Sequence, residues 1–499
     1  MQRLRAPINK WFLAISEPDP RSLALFRIVL ALGVLLDLWE RFVNLPYFYT
    51  ENGLLPRALW EHLYGDLAYY WTFHFLGGQD VLVGPLILVQ MLLSLSLLLG
   101  FRTRWAAALS WILLLSLVLR NPLIFYGGDK LAPILLLIGA FLPLSRRLQR
   151  TSLTSLVSRM AFFWLLVQMA ILYIASGQSK LASVYWWNGS GLENVLQMST
   201  LVRPLGTWFG QLEPLLMLLT WVTPWAEMIL PLLFFVPLWR GRVRMMAVLA
   251  LLFFNLGIQS MLDVGFFMVY ASAGLLALLP AQFWDDLARL WQALPGARRL
   301  RLGLLSQSLG WGLPSVPVGR RSLLHRLLSL PASLIIGAFI VVTLATGLEG
   351  MKLIRLGYPP PSWTVIRGLN VYQNWGLFTH PTPTASWFVS KAQLADGSWV
   401  DLLQAGAPIV WAQPPSPNAL FRESSKWRVA LAKIGSLDDP KLFETTGRTL
   451  VRHWNDGHPS EKAADALTLY AFSQPLPLRG ETGRTWRIWL EWPATPKTD

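Results

Sequence analysis

The 499-residue sequence contains no cysteine and has few charged residues. The lack of cysteine excludes disulfide bonds, thiol catalysis and metal or iron–sulfur centres held by thiolates. Charged residues make up 14% of the chain, whereas a soluble protein carries about 25%. Because hydrophobic residues make up 54%, the composition predicts a protein with several membrane spans.

Histidine is also scarce, and common catalytic motifs are missing. None of the six histidines lies in a long apolar run, and no two have the spacing of paired helical ligands. We therefore predict no haem held between membrane helices and no metal site. No HExxH, GxSxG or P-loop pattern occurs. The net charge of +15 does not imply a nucleic-acid partner, because membrane proteins concentrate Lys and Arg in cytoplasmic loops.

Nine apolar runs approach the length of about 20 residues that a membrane span needs. The predicted spans are 22–42, 81–100, 105–119, 131–144, 160–175, 215–238, 245–261, 266–279 and 332–348. Residues 1–21 form a basic lead without the layout of a signal peptide. We thus expect an all-α polytopic membrane bundle at 22–348, followed at 349–499 by a small β-rich extracytoplasmic domain.

The placement of basic residues predicts the orientation of these spans. Arginine-rich segments follow spans two, four, six and eight, at 101–104, 145–159, 239–244 and 281–331. The loops after spans one, three, five and seven hold few basic residues: Arg57, Arg120, Lys130, Lys180 and Arg203. The positive-inside rule then predicts a multi-pass protein of the inner membrane, with a cytoplasmic N-terminus and an extracytoplasmic C-terminal domain.

The C-terminal region has the pattern of strands joined by turns. Asp396-Gly397 predicts a hairpin between strands at 387–394 and 399–402. Alternating residues predict further strands at 467–472 and 485–492, and 443–454 has a helical pattern. We expect a β-sandwich-like module with one or two helices.

A lysine after the fifth predicted span has two interpretations. The helix is predicted to break at Ser176-Gly177, and Lys180 then precedes the pair Trp186 and Trp187. A lysine at the end of a span commonly snorkels to water, and tryptophan belts mark membrane interfaces. A lysine withdrawn from water beneath aromatic rings could instead act as a base near neutral pH.

Ionisable residues within predicted spans include Arg27 and Asp37 in the first and Glu227 in the sixth. Ten helical positions correspond to about 15 Å, so Arg27 and Asp37 should not pair directly. We expect each to find a partner on another helix or to line a wet cavity. Because charges facing lipid are costly, Arg27 and Glu227 should face the bundle interior.

Several short motifs, in order, resemble the HTTM family, the horizontally transferred transmembrane domain that includes vitamin K-dependent γ-carboxylase. The resemblance covers about residues 20 to 400. Its motifs are Leu25-Phe26-Arg27-Ile28 with Asp37, Tyr49 to Pro56, Asn121 to Asp129, Ser176 to Leu181 with Trp187, Trp225-Ala226-Glu227 with Pro231, and Gln373 to Phe378.

The resemblance implies a reaction and a site. The carboxylase uses a reduced quinone, oxygen and carbon dioxide, and one of its lysines deprotonates the quinol. Lys180 matches that catalytic lysine, and Arg27, Trp187, Glu227 and Asn255 would belong to the substrate or quinone pocket. Asn255 stands where the carboxylase has a histidine on its seventh span, and the carboxylase's histidine near Pro122 is also absent. An asparagine can form hydrogen bonds but cannot shuttle a proton.

Two functions follow. In the first, the protein is a quinol-linked membrane enzyme with Lys180 as its base, and its partners are the lipid bilayer and a quinone. In the second, it is a non-catalytic membrane scaffold or subunit, whose bundle and outer domain hold a membrane or periplasmic protein.

Overall fold

The computed structural model describes residues 2–76, 80–145, 155–293, 323–381, 384–414, 417–475 and 485–493. We number its longer helices α1 Gln2–Ile15, α2 Pro20–Val43, α3 Val83–Leu99, α4 Thr103–Arg120, α5 Gly127–Phe141, α6 Leu156–Leu181, α7 Glu213–Leu232, α8 Arg242–Met261, α9 Phe267–Ala277, α10 Ala281–Ala293, α11 Leu323–Gly350, α12 Ser425–Leu437 and α13 Pro440–Asp456. Shorter helices are Leu45–Phe48, Arg57–Tyr64, Val184–Trp187, Gly191–Leu196, Pro204–Phe209, Pro360–Gly368 and Ala419–Glu423.

All nine apolar runs form helices where the sequence predicts them. Within the described residues, six helices are long and apolar enough to cross a membrane: Pro20–Val43, Thr103–Arg120, Leu156–Leu181, Glu213–Phe235, Arg242–Met261 and Ser329–Gly350. The other three, α3, α5 and α9, have 17, 15 and 11 residues. Six apolar helices indicate a membrane protein, and the count of nine spans stays a prediction. The arginine-rich segments lie partly outside the described residues, at 146–154 and 294–322.

Helix α6 lies at the centre of the bundle. Of the residues in its most apolar stretch, 83% are buried. The sequence predicts a break at Ser176-Gly177, but the helix continues without a break to Leu181. A Cβ atom on Gly177 would lie 2.6 Å from the carbonyl oxygen of Pro224 in α7. The glycine therefore allows two helix backbones to approach closely, and this packing holds it within the helix.

The C-terminal region contains one antiparallel sheet within the described residues, in the order β2-β1-β3-β4. Its strands are β1 Thr384–Leu394, β2 Trp399–Asp401, β3 Ala464–Pro475 and β4 Thr485–Trp492. The predicted strands and the hairpin at Asp396-Gly397 are confirmed, as is the helix at 443–454, which lies within α13.

The predicted β-sandwich is wrong. Helices, and not a second sheet, cover one face of the four strands. Gly435 of α12 packs against Trp489, and Gly447 of α13 packs against Trp492. The described part of 349–499 contains four α-helices instead of one or two: Pro360–Gly368, Ala419–Glu423, α12 and α13.

The two ends of the bundle hold different parts of the chain. At one end, Arg159 donates to the carbonyl oxygen of Leu13 over 2.9 Å, and Arg244 donates to that of Ile15 over 2.9 Å. Helix α6 rises from this end through 26 residues, or about 39 Å. At its far end, Ser179 Oγ lies 2.9 Å from Thr379 Oγ1 of the C-terminal region. Lys180 and the C-terminal region thus share one end of the bundle, and the N-terminal lead lies at the other.

A buried group of charges, which we call the clamp, fastens the C-terminal region to the bundle. It consists of Asp37, Glu40, Arg41, Asp129 and Lys426. Lys426 Nζ donates to Asp37 Oδ1 over 2.8 Å and to Glu40 Oε2 over 2.8 Å. Arg41 donates to Asp37 Oδ2 over 2.8 Å and also pairs with Asp129. Since every charge has an opposite partner, the clamp offsets the desolvation of ions at this junction.

Candidate functional site

Lys180 lies in the last turn of α6, and its side chain is buried. Its Nζ donates to Ser176 Oγ over 2.7 Å and to Glu227 Oε2 over 2.7 Å. A snorkelling lysine places its ammonium group in water, whereas this amine is enclosed beside a buried carboxylate. The geometry is therefore that of a buried ion pair and not of an interfacial anchor.

The pair exists because α6 and α7 approach closely. A Cβ atom on Gly177 would lie 3.0 Å from Glu227 Cβ as well as 2.6 Å from the carbonyl oxygen of Pro224. The missing side chain thus brings Glu227 within reach of Lys180. Ser176 lies one helical turn before Lys180, so its hydroxyl group faces the same amine.

One tryptophan of the adjacent pair covers the amine. Lys180 Nζ lies 5.3 Å from the centre of the Trp186 ring, within the range of a cation–π interaction. Trp186 is buried, and its Nε1 donates to the carbonyl oxygen of Phe378 over 3.0 Å. Trp187, which the sequence placed in the pocket, is 59% exposed and donates to the carbonyl oxygen of Leu181. The short helix Val184–Trp187 turns only the first of the two rings towards the site.

A cavity of about 360 Å³ lies beside the ion pair. Polar side chains that line it are Lys180, Glu227, Tyr173, Thr223 and Asn255. Most of the remaining wall is apolar and includes Leu172, Phe254, Ile258, Met261, Phe267 and Leu377. Such a shape suits a molecule with an apolar body and a small polar group.

Asn255 lines the cavity, as the resemblance implies, and its amide is held in place. Tyr173 donates to Asn255 Oδ1 over 2.9 Å, and Asn255 Nδ2 donates to Ser272 Oγ over 3.2 Å. These bonds join α6, α8 and α9 across the cavity wall. Asn255 therefore orients the Tyr173 hydroxyl group, and its amide cannot itself take up a proton near neutral pH.

Open space adjoins the cavity lining at Gly257 of α8. A Cβ atom on Gly257 would meet nothing within 4 Å, and the neighbouring Phe253 of the lining is 78% exposed. At the end nearest the C-terminal region, Trp186 and Phe378 close the cavity.

The structure does not bring Arg27 into this cavity. Arg27 is buried, but its guanidinium group donates to the carbonyl oxygen of Leu144 over 3.1 Å, and it is not part of the lining. Arg27 and Asp37 do not pair with each other, as expected, and Asp37 belongs to the clamp. Arg27 and Glu227 both face the bundle interior, as predicted.

Sequence reasoning missed two residues of the site, Ser176 and Tyr173. Both lie on the same face of α6 as Lys180, at four and seven positions before it. Continuing the helix through Gly177 would have placed all three together. The assumed break at Ser176-Gly177 concealed this alignment.

No protein-family model, curated protein or solved structure matches the chain. Within the part of the chain that the structure describes, no group of three or more His, Asp or Glu could hold a metal ion. The geometry of the cavity and the motifs that resemble the HTTM family therefore guide the assignment of function.

Proposed function

We propose that the protein is a membrane enzyme of the HTTM type that removes a proton from a lipid-soluble quinol, with Lys180 as the base and Glu227 as its partner. One observation carries the proposal: the Lys180–Glu227 pair is buried at a cavity that is otherwise almost wholly apolar. Buried ionisable groups within a membrane bundle commonly mark functional sites. The residues that would form the pocket are Tyr173, Lys180, Trp186, Glu227 and Asn255.

The cavity fits a quinol of the isoprenoid class. Its ring and tail are apolar, whereas its hydroxyl groups need hydrogen-bond partners. The apolar wall would hold the ring, and the gap beside Gly257 faces the side from which a lipid tail would extend. When bound, the reduced quinone supplies an ionisable hydroxyl group and two electrons.

The ion pair can change its protonation across a single hydrogen bond. Lys180 Nζ and Glu227 Oε2 are 2.7 Å apart, so a proton can pass from the ammonium group to the carboxylate. Lys180 is then a neutral amine and can accept a proton from the ligand. The Trp186 ring and the Ser176 hydroxyl group both favour the cation that results.

Quinol turnover in membranes tests the role of Lys180. Lys180→Arg keeps the charge but removes the base, because arginine does not deprotonate in proteins. We expect Lys180→Arg and Lys180→Ala to lower turnover by about 100-fold or more. The exposed Lys441 supplies a matched control, and Lys441→Arg should leave turnover unchanged.

Equal turnover in the wild type and both Lys180 variants would exclude the enzyme and favour the scaffold. Mass spectrometry of the purified protein gives a second test, because an enzyme of this kind should carry an isoprenoid molecule. A scaffold has no reason to keep the cavity open for one.

The proposal includes nine spans, a cytoplasmic N-terminus and an extracytoplasmic C-terminal domain. It is supported by the alternation of arginine-rich and arginine-poor loops and by the position of Lys180 and the C-terminal region at one end of the bundle. A reporter that is active only in the periplasm should work when fused after Asp499 and fail when fused at Arg320. The reverse pattern would overturn this orientation.

A further inference from the structure

The chain turns sharply after the eighth predicted span. Helix α9 ends at Ala277, α10 begins at Ala281, and the two helix axes differ by 92°. Helix α9 is apolar and mostly buried in the bundle. A helix perpendicular to it runs across the end of the bundle and not through it.

The sequence of α10 divides cleanly into two faces. At 100° per residue, Phe283, Leu287, Leu290 and Trp291 fall on one side, and Gln282, Asp285, Arg289 and Gln292 fall on the other. Every residue of α10 is at least partly exposed, and on the apolar side Leu287 is 46% and Leu290 is 68% exposed. Phe283 packs partly against the bundle core, so the rest of the described chain leaves the apolar face open chiefly at Leu287 and Leu290.

We propose that α10 lies flat in the membrane surface, with Leu287, Leu290 and Trp291 inserted between lipid headgroups and acyl chains. The perpendicular turn and the one-sided apolar face are the features of an interfacial helix. The inference depends on the membrane placement proposed above, but not on any catalytic activity.

Contacts with the bundle fix the level of α10. Trp284 Nε1 donates to Ser22 Oγ over 2.8 Å, and Arg21 lies 3.4 Å from Asp285. Arg242 at the start of α8 lies 3.6 Å from Asp286. These partners begin α2 and α8, so α10 lies at the level where those helices enter the membrane.

The same contacts indicate what kind of lipid surface α10 fits. Asp285 pairs with Arg21, and Asp286 pairs with Arg242 and Arg289. The polar face therefore carries compensated charge and has no strong attraction for anionic headgroups. Burial of the apolar face is what holds α10 on the bilayer, so zwitterionic lipid suffices.

The absence of native cysteine makes the test direct. Nitroxide labels are attached to Leu290→Cys and, as the matched control on the opposite face, to Gln292→Cys, in the full-length protein in nanodiscs of zwitterionic phospholipid. We expect the label at 290 to be relaxed more strongly by oxygen than by a water-soluble nickel chelate. The label at 292 should show the reverse ratio, and neither ratio should shift when anionic lipid or salt is added.

Two outcomes would overturn the inference: equal access of the nickel chelate to both labels, or a label at 290 that neither relaxant reaches, as beneath a protein partner. A depth at 290 that needs anionic lipid would contradict the apolar mechanism. Because the readout is depth and not turnover, each of these results is separable from a failure of the proposed enzyme.

Discussion

Within the described residues, two buried lysines have carboxylate partners, Lys180 in the bundle and Lys426 in the C-terminal region, and they differ in what surrounds them. Lys426 of the clamp binds two carboxylates, Asp37 and Glu40, and its neighbour Arg41 is bound in turn by Asp37 and Asp129. Lys180 binds one carboxylate and one hydroxyl group, and a cavity of about 360 Å³ adjoins it. Burial and pairing are thus common to both, and room for a ligand is the property that marks Lys180.

The clamp also shows what a structural lysine looks like when its charge is fixed. Burial alone would lower the pKa of Lys426, but Asp37 and Glu40 raise it above the usual lysine value. Lys426 therefore stabilises the folded protein fully at any pH below the ordinary lysine pKa of about 10.5. This stabilisation is lost only when the pH rises through the raised pKa of the folded state. Lys426 therefore stays charged at any physiological pH and cannot serve as a base.

The largest effect on stability should come from breaking the clamp. Lys426→Met removes the cation that Asp37 and Glu40 share and leaves the buried Asp37 with Arg41 alone, which should cost about 3–5 kcal/mol in the free energy of unfolding. Lys180→Met should cost less, because Glu227 can take up a proton beside the cavity. Chemical unfolding in detergent micelles measures both, with Lys441→Met, at an exposed site, as the control. A larger loss for Lys180→Met would reverse the roles assigned to the two lysines.

An effect of intermediate size on stability should distinguish alanine substitutions at two glycines near the cavity, Gly177 and Gly257. A Cβ atom at Gly177 collides with the carbonyl oxygen of Pro224, whereas one at Gly257 meets nothing within 4 Å. Gly177→Ala should destabilise the protein by about 1–3 kcal/mol and lower turnover by moving Glu227 from Lys180. Gly257→Ala should be neutral or slightly stabilising, since alanine favours helix. Unfolding and turnover of both variants, measured in parallel, test the close approach of α6 and α7.

The effect that is smallest at neutral pH is a pH dependence of stability that arises at His74, on the clamp side of the molecule. Burial lowers the pKa of His74 to about 3, and the charges of Arg120 and Arg41 act in the same direction. The native protein thus keeps His74 neutral, while the unfolded chain takes up a proton below about pH 6.5. Stability should then fall by about 1.4 kcal/mol per pH unit as the pH drops from 6.5 towards 3. His74→Gln should reduce this slope, and an unchanged slope would assign it to other groups.

The positions of the helices could be predicted from the sequence, because an apolar run of sufficient length has few alternatives to a helix. Lys180, Glu227 and Asn255 were also identified in advance, and they line one cavity. The sequence alone does not indicate that Arg27 and Trp187 lie outside this cavity. The neighbours that a helical residue faces are distant in the chain, so they cannot be deduced from local sequence. Trp186 and Trp187 are adjacent, yet only Trp186 is buried.

Other features depend on packing that local patterns do not encode. Gly177 has the appearance of a helix break, and only the approach of Pro224 explains its presence inside α6. The strands alternate in the way expected of a sandwich, but helices α12 and α13, and not a second sheet, cover one face of the described sheet. Asp37 and Lys426 are 389 positions apart, so no local rule could pair them.

That separation has a consequence for how the protein is made. At a synthesis rate of about 5–20 residues per second, Lys426 follows Asp37 from the ribosome by roughly 20–80 s. During that time the first helix must enter the membrane with Asp37 and Glu40 still lacking their lysine. Helix α2 therefore reaches its final state only after Lys426 has been made, and a chain that stops before Lys426 leaves Glu40 without its lysine and Asp37 paired with Arg41 alone.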